Sequence, residues 1–379
     1  MAKEKLDLTS LISEYNTMNE KDEYIKTNIP LLDMFVGGKN NICEEMGFLK
    51  GKLYSLSGPN GIGKSTMIAE ISKRFAKNGN KVIIIDFEVG FNENSIESFG
   101  ISEFVAYKNE DIPKFIDGDK NILIINPVTF NNTAKILNEI IEVSNVKVDA
   151  VFFDSLKTMQ ATYRVENIDT IEQGPVGLHA RSQEAFLPFV KVLFSKYKIV
   201  GLFINQMRNK SIGPAGFIED EPTNNAFLYN MDVRMIVKSA RSKTLPDIVT
   251  KIETNFGEKV DKKIGNWVTI NITKGRAGNS HSSIVLPIIF GRGISTIYLY
   301  TQLLITNNII SPGPRSDSKC KMEKFAEAIS TVTDTFEIPE YATGGMNGIY
   351  AIVKSNLDAV EKYIIENNML FVEKQKNED

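Results

Sequence analysis

The chain has 379 residues, of which 42% are hydrophobic and 24% charged, values near the globular average that predict one large core and smaller units. Its net charge of −3 excludes a general attraction to nucleic acid, so any such site must be a local basic patch. Cys43 and Cys320 lie far apart and argue against a disulfide framework, and no apolar run is long enough to span a membrane. These features predict a soluble protein of a reducing cytoplasm.

The first 30 residues predict a segment outside the main core. Residues 6–15 are amphipathic and predict a short helix, which a polar, flexible connection follows. The stretch from Pro30 to Val36 predicts a second helix. Gly37 and Gly38 end this helix, because glycine readily adopts the left-handed conformation that follows a helix.

Short apolar runs alternate with helical stretches in the middle of the chain. Such runs are typical of strands buried on both faces of a sheet, and the alternation predicts an α/β fold with a mostly parallel sheet covered by helices. A charged, turn-rich stretch at 240–266 predicts a hairpin. The predicted strands are residues 52–57, 81–85, 121–125, 149–155, 199–206, 234–237 and 267–272, and the predicted helices residues 66–75, 133–143 and 176–198.

Beyond Pro312 the pattern loosens, which predicts a small, mainly helical unit with Gly344 and Gly345 as punctuation and a frayed tail. The chain is therefore expected to divide into residues 1–30, 31–310 and 311–379.

A phosphate-binding loop lies between the first predicted strand of the core and its first helix. It fits the pattern G-x-x-x-x-G-K-S/T, in which glycines let backbone amides curl around phosphate oxygens and the helix N-terminus adds unpaired amides. In this pattern Lys64 reaches the β- and γ-phosphates, and the Ser65 hydroxyl binds Mg²⁺. The predicted nucleotide-binding residues are Gly58, Pro59, Asn60, Gly61, Ile62, Gly63, Lys64, Ser65 and Thr66.

Carboxylates end two further predicted strands. Asp154 fits the second phosphate-site motif, in which an aspartate holds Mg²⁺ through water, although an ordinary strand-ending aspartate is the alternative. Asp86 and Glu88 follow the strand at 81–85, and either can orient the water for in-line attack on the γ-phosphate. The other role open to Asp86 is that of a buried, hydrogen-bonded carboxylate, and spacing alone does not separate the two.

An amide ends the strand at 199–206, with two cations just beyond it. Gln206 can bond the γ-phosphate and lose that bond on hydrolysis, so that the loop behind it changes state. The alternative is a buried amide that satisfies backbone groups.

The ordered motifs G-P-N-G-I-G-K-S-T, I-D-F-E, F-F-D-S, F-I-N-Q-M-R and N-N-A-F-L-Y resemble the ATPase core of RecA-family recombinases. Phage UvsX-type recombinases are the most similar, because N-E-K-D-E-Y-I-K-T-N-I-P-L-L-D at 19–33 resembles their entry into the core. The resemblance covers about residues 19–310. It implies a RecA-like P-loop ATPase core with ATP and Mg²⁺ as cofactors, and an oligomerisation role for residues 1–30.

The resemblance also implies roles for single residues. Lys64, Ser65 and Asp154 fall on the phosphate lysine and the magnesium ligands, and Glu88, rather than Asp86, falls on the water-activating glutamate.

Three further residues are assigned to communication between sites and between subunits. Gln206 falls on the amide that couples the nucleotide state to the second DNA-binding loop. Lys274 and Arg276 fall on the basic residues that family members insert into the ATP site of the neighbouring subunit. A cation supplied in this way stabilises the transition state as an arginine finger does, so hydrolysis requires assembly.

Two DNA-binding loops follow from the same resemblance, at about residues 164–175 and 207–224. The alternative for each is a surface loop without a ligand. Glu219, Asp220 and Glu221 depart from the expected charge of the second loop, since they repel phosphate unless they are turned away or paired. Ser95 stands where bacterial members stack an aromatic residue on adenine. The predicted DNA contacts are Arg164, Arg208, Lys210, Gly213, Gly216 and Phe217.

The resulting hypothesis is a DNA-dependent ATPase that forms helical filaments on single-stranded DNA, with ATP at the subunit interface. It pairs that strand with homologous duplex DNA in recombination, repair and recombination-dependent replication. A single-strand-binding protein and a mediator are further expected partners, no membrane is expected, and the location is the cytoplasm, or that of a host cell for a phage protein. The alternatives are an ATP-gated recombination mediator and a RecA-fold hexameric helicase.

Overall fold

The structure is a computed structural model. It describes residues 22–39, 43–127, 129–158, 178–211, 217–220, 225–240, 245–253, 259–275, 282–313, 319–367, 369 and 373–374. Most of the predicted N-terminal segment and the whole of the predicted first DNA loop therefore lie outside the described residues.

The strands within this part of the chain vary from two-residue bridges to an eleven-residue strand. In chain order they are β1 (Tyr24–Ile25), β2 (Phe48–Leu49), β3 (Leu53–Gly58), β4 (Val82–Asp86), β5 (Val105–Ala106), β6 (Ile122–Ile125), β7 (Ala150–Asp154), β8 (Val200–Gln206), β9 (Arg208–Ser211), β10 (Phe217–Asp220), β11 (Val233–Ser239), β12 (Val249–Glu253), β13 (Lys259–Lys263), β14 (Gly265–Gly275), β15 (Ser282–Ile289), β16 (Gly293–Ile294), β17 (Cys320–Lys321), β18 (Tyr341–Ala342) and β19 (Glu373–Lys374).

The helices follow the same order. They are α1 (Pro30–Gly37), α2 (Lys64–Lys77), α3 (Glu93–Phe99), α4 (Ile112–Asp117), α5 (Phe130–Asn138), α6 (Leu178–Lys196), α7 (Asn225–Asn230), α8 (Thr296–Thr306), α9 (Glu323–Ser330), α10 (Gly345–Ser355) and α11 (Leu357–Glu366). A 3₁₀ turn, Asn109–Asp111, precedes α4, and a π-helical turn, Glu139–Val143, continues α5.

Across the described residues, eleven strands form one sheet in the order β16-β15-β14-β11-β3-β8-β7-β4-β6-β5, with β19 beside β15. From β11 to β5 every neighbouring pair is parallel, whereas β14, β15, β16 and β19 add an antiparallel extension. The prediction of a mostly parallel sheet covered by helices is confirmed. None of the helices in the described ranges is long and apolar enough to cross a bilayer.

Alternate residues of the central strands pack on opposite faces, which is why β4, β6 and β7 are apolar except where an aspartate ends the strand. Ile84 and Phe152 belong to one buried cluster, together with Ile68 and Phe75 of α2. Ile83, Ile85 and Phe153 belong to a second cluster, with Leu187 and Phe194 of α6. Burying both faces excludes water from the sheet and stabilises it by the hydrophobic effect.

The predicted strands differ from the observed ones mainly at their ends. The predicted hairpin at 240–266 is present as the antiparallel pair β12 and β13. The strands β15 and β16 were not predicted, and β14 is longer than the predicted 267–272 because it pairs with β11 on one side and with β15 on the other.

The C-terminal region is mainly helical, as predicted, with a small antiparallel pair formed by β17 and β18. Phe325, Ile349 and Ile364 from its three helices belong to the same buried cluster as Ile288 of β15. The hydroxyl of Tyr300 in α8 also donates to Glu361 Oε2 in α11 at 2.6 Å. The division at residues 30 and 310 stays a prediction.

The parallel strands end at one edge of the sheet, which defines the crevice where α/β folds bind ligands. In the register Gly58 lies beside Gln206, and Asp86 beside Asp154. The fold therefore collects at one edge four positions that are far apart in the sequence.

Candidate functional site

The phosphate loop joins β3 to α2, as the sequence predicts. Gly58 is required by a close approach, since a Cβ atom there would lie 2.8 Å from the carbonyl oxygen of Val237. Gly61 and Gly63 have φ angles of 72° and 102°, which side-chain-bearing residues rarely adopt. These conformations turn the backbone so that α2 begins at Lys64, with the amides of its first turn facing the loop.

The Lys64 ammonium lies within this loop. Its Nζ donates to the carbonyl oxygens of Gly58 at 3.0 Å and Pro59 at 2.7 Å, and the side chain is 7% exposed. Burial lowers the pKa of Lys64, against the nearby carboxylates of Asp154 and Glu88, which raise it. Two neutral acceptors compensate a buried cation poorly, so phosphate oxygens are expected to displace them readily.

A hydroxyl and a carboxylate face each other beside the loop. Ser65, at the start of α2, forms a side-chain hydrogen bond with Asp154, which ends β7 and is 3% exposed. Burial raises the pKa of Asp154 to about 7, and the carboxylates of Glu88 and Asp86 raise it while the Ser65 hydrogen bond and the charge of Lys64 lower it.

Ser65 and Asp154 fit a Mg²⁺ ion because both offer oxygen ligands next to a phosphate loop. In the described ranges no group of three or more histidine, cysteine or carboxylate side chains is arranged to hold a metal. A magnesium ion held by these two residues would take its remaining ligands from phosphates and water, as is usual for Mg²⁺ in nucleotide sites.

Asp154→Asn is expected to stabilise the nucleotide-free protein above pH 7. The folded state then carries a buried carboxylate whose pKa is raised to about 7, whereas the unfolded chain ionises this group without penalty. The gain should shrink as the pH falls from 7 and vanish below about 4, where both states are protonated. Melting temperatures of variant and wild type across this pH range, measured without nucleotide, check the sign. A variant that melts below the wild type at pH 8 contradicts it.

The two carboxylates beyond β4 have different surroundings. Asp86 is fully buried, and its oxygens accept the backbone N–H groups of Glu88 at 3.1 Å and Phe91 at 2.9 Å. It thereby shapes the turn after the strand. Glu88 is exposed at the crevice, where its Oε1 accepts hydrogen bonds from the Ser155 hydroxyl and from the side-chain amide of Gln206. The geometry supports Glu88 as the carboxylate that can contact a water molecule in the crevice. Asp86 instead holds the backbone of the turn that carries Glu88.

Gln206 belongs to a chain of polar side chains at this edge. Its Nε2 donates to Glu88 Oε1 at 2.9 Å, and its Oε1 accepts from Lys157 Nζ at 2.8 Å. The backbone N–H of Met207, the next residue, donates to the carbonyl oxygen of Gly58 at 3.2 Å. The end of β8 is therefore connected both to the phosphate loop and to Glu88, immediately before the predicted second DNA loop.

Lys274 is not brought to the phosphate loop of its own chain. It pairs with Arg234 of β11, whose neighbour in β3 is Ser55, three residues before Gly58 and thus about 10 Å along the strand. Its Nζ donates to the carbonyl oxygen of Leu228 in α7 at 2.7 Å. Arg276 lies outside the described residues. A role for Lys274 at a phosphate of the neighbouring subunit stays a prediction.

The predicted DNA contacts are only partly described. Arg164, Gly213 and Gly216 lie outside the described residues. The backbone of the second loop forms the antiparallel pair β9 and β10, in which Arg208 lies opposite Asp220 and Lys210 opposite Ile218. In the same register Phe217 lies opposite Ser211.

Three residues at this edge are missing from the prediction. Ser155 and Lys157 directly follow the strand that ends in Asp154, and their position after a strand end was the available signal. Phe290 is 46% exposed and lies two residues beyond Ile288, whose Cγ2 would be 2.9 Å from a Cβ atom on Gly63. Its position in the chain is therefore near the phosphate loop, on the antiparallel side of the sheet, whereas the Ser95 hydroxyl accepts the backbone N–H of Asn92 at the start of α3.

The chain is similar to RecA proteins over most of its length. The family model described as RecA N-terminal domain matches residues 32–295. Protein RecA of Nostoc sp. is 24% identical over 288 residues, which are 76% of this chain and 69% of that protein. Protein RecA of Lactococcus lactis subsp. cremoris is 23% identical over 301 residues, or 79% and 68%. Protein RecA of Borrelia turicatae is 25% identical over 251 residues, or 66% and 60%.

Proposed function

The chain belongs to the RecA family, and from that premise we propose that it is a DNA-dependent ATPase that assembles on single-stranded DNA and exchanges strands with a homologous duplex. The predicted family membership is confirmed. The particular similarity to UvsX-type recombinases stays a prediction.

One contact carries the proposal. Gln206 donates to Glu88 Oε1 at 2.9 Å. The carboxylate proposed to orient water therefore contacts the last residue before the predicted second DNA loop. A change at the phosphate end of this pair displaces the amide, and displacement of the amide moves the start of the loop. The same contact therefore transmits a change at the nucleotide to the loop and a change at the loop to the nucleotide, as binding linkage requires.

The proposed hydrolysis uses this chain's groups in separate roles. Lys64 binds the β- and γ-phosphates in place of its two carbonyl partners, and Ser65 and Asp154 hold Mg²⁺. The ion neutralises phosphate charge when it is bound. Glu88 orients a water molecule for in-line attack on the γ-phosphorus, and the β–γ bridging oxygen leaves with ADP. Gln206 bonds the γ-phosphate before this step and is released after it.

Assembly supplies what a single subunit lacks in this proposal. The Lys274 ammonium, from β14, donates to the carbonyl oxygen of Leu228 in α7, away from the phosphate loop of its own chain. We expect Lys274 to act with Arg276 on a nucleotide bound by the neighbouring subunit. Because α7 directly follows the second loop, the order of that loop and the position of Lys274 are linked through one short helix.

The test is the rate of ATP hydrolysis against added single-stranded DNA at two salt concentrations, together with a strand-exchange assay. The proposal expects stimulation by DNA, weaker at high salt because binding releases counterions, and exchange of homologous strands. DNA-stimulated hydrolysis without exchange favours the mediator, and closed rings that unwind duplex DNA favour the helicase. Full hydrolysis by monomers, indifferent to DNA, contradicts all three.

A further inference from the structure

A cavity of about 510 Å³ lies at the edge of the sheet opposite the phosphate loop. In its wall Lys52 directly precedes β3, Asp149 directly precedes β7, and Lys198 lies two residues before β8. The cavity therefore lies where these parallel strands begin, whereas the phosphate loop lies where β3 ends. Because β3 has six residues, its two ends are about 20 Å apart, and a ligand in the cavity leaves the nucleotide crevice open.

Positive charge predominates in the walls of this cavity, which carry five lysines and three carboxylates. Lys198 Nζ donates to Glu23 Oε1 at 3.0 Å, and Lys50 Nζ lies 3.5 Å from Glu23 Oε2. Lys50 Nζ also donates to Asp149 Oδ1 at 3.1 Å. The Glu23 carboxylate is thus held between two ammonium groups, so the cavity already binds carboxylates of its own chain.

Two of the five lysines are available to an external anion. Among the described residues, the ammonium groups of Lys52 and Lys147 have no hydrogen-bond or ion-pair partner. The strands that follow them, β3 and β7, lie on either side of β8 and are therefore about 10 Å apart. An extended peptide with several carboxylates can span this distance, since each of its residues advances by about 3.3 Å.

The lining of the cavity favours an acidic peptide over a nucleic acid strand. Asp22, together with the paired Glu23 and Asp149, repels a backbone that carries a phosphate at every link. A peptide can place neutral or apolar residues at these positions and against Leu49 and Val148, while its carboxylates contact the lysines. The charge of the cavity therefore matches a chain in which acidic residues alternate with others.

The backbone of Lys198 supports a binding role for its side chain. Its φ angle is 52°, in the left-handed region, and the N–H of Ile199 donates to the carbonyl oxygen of Phe194 at 2.8 Å, which closes the end of α6. Glycine is the usual residue at this position of a helix end, because a side chain is strained there. Strained backbone of this kind is concentrated at functional sites.

We propose that this cavity is a docking site for an extended, acidic segment of a partner protein. Lys52 and Lys147 bind carboxylates of the segment, and Lys198 and Lys50 neutralise Glu23 so that it does not repel them. The site is separate from the nucleotide crevice and from the predicted second DNA loop, which begins where β8 ends. The inference therefore goes beyond the proposed function and does not depend on it.

The test measures the binding of a fluorescent peptide of alternating glutamate and glycine to the full chain, by anisotropy, with single-stranded DNA and Mg²⁺-ATP present in excess. A peptide with glutamine in place of glutamate is the control for charge. The decisive variant combines Lys52→Gln with Lys147→Gln, and it should fold because neither ammonium has a partner among the described residues. The matched control combines Lys321→Gln with Lys324→Gln, which removes the same charge from exposed positions in β17 and α9.

We expect the acidic peptide to bind more tightly than the neutral one, with an affinity that falls as salt screens the charges. The Lys52 and Lys147 double variant should bind it about 5-fold more weakly, the effect of losing two exposed charge pairs, and the control should bind as the wild type does. Equal affinity for the neutral peptide, an unchanged affinity in the double variant or an equal loss in the control overturns the inference. Displacement of the peptide by single-stranded DNA also overturns it and assigns the cavity to nucleic acid. None of these outcomes affects the ATPase and strand-exchange tests of the proposed function.

Lys198→Gly separates binding from folding. Glycine relieves the left-handed strain, so the melting temperature should be equal to that of the wild type or higher. Loss of the ammonium leaves Glu23 less neutralised in the cavity, and the acidic peptide should bind about 2-fold more weakly. An unchanged peptide affinity, or a variant that melts below the wild type, contradicts the role assigned to Lys198.

Discussion

Lys64→Ala is expected to lower ATP hydrolysis by at least about 100-fold, because a single fixed donor to developing transition-state charge is commonly worth that much or more. The ammonium of Lys64 donates to the carbonyl oxygens of Gly58 and Pro59, two neutral acceptors that phosphate oxygens can replace. The steady-state rate with saturating Mg²⁺-ATP and single-stranded DNA measures the loss, and an equilibrium nucleotide-binding assay shows whether affinity falls as well.

The fold of this variant should persist, which separates the chemical role of Lys64 from a structural one. Burial lowers the pKa of Lys64, so the protonated side chain is less favourable in the folded than in the unfolded state, and its removal should leave the melting temperature equal or higher. Lys77→Ala is the matched control, since Lys77 is the exposed last residue of the same helix. Normal hydrolysis by Lys64→Ala, or an equal loss in Lys77→Ala, contradicts the assignment of the site.

Glu88→Gln is expected to reduce hydrolysis by about 10²- to 10⁴-fold, the usual contribution of a positioned general base. Binding of Mg²⁺-ATP should survive, because the glutamine is isosteric and its oxygen still accepts from Ser155 and Gln206. Nucleotide binding at equilibrium and single-turnover hydrolysis distinguish the two effects. We expect a protein that binds ATP and DNA and remains in the ATP-bound state.

Asp86→Asn provides the contrast. Both oxygens of Asp86 accept backbone N–H groups in a fully buried position, so an amide there places a donor against a donor. The expected loss of stability is about 1–3 kcal/mol, measured by chemical denaturation. A stable but inactive Asp86→Asn, combined with an active Glu88→Gln, would reverse the two roles.

The second DNA loop shows how pairing changes the meaning of a charge pattern. In the sequence, Glu219, Asp220 and Glu221 stand among residues expected to bind phosphate. The register of β9 and β10 places Asp220 opposite Arg208 along the two backbones. The linear order of the residues contained no information about this pairing, because it depends on where the hairpin turns.

The nucleotide site was predictable because its signals are local. The motif from Gly58 to Thr66 specifies its own turn and helix start, and the apolar runs before Asp86 and Asp154 specify buried parallel strands whose ends share one edge. Such features depend on residues close together in the chain. Helix and strand ends were therefore found within a few residues, whereas β15 and β16, whose register depends on distant partners, were missed.

The sequence by itself determined the RecA-family core, its phosphate loop and the identity of the polar groups at the strand ends. Only the tertiary structure decided how those groups are used: Asp86 faces backbone amides, Glu88 faces Gln206, and Lys157 faces the other end of the same amide. The physical reason is that a hydrogen bond selects partners by distance and direction in space. Residues 88, 157 and 206 become neighbours only when the strands they follow lie side by side.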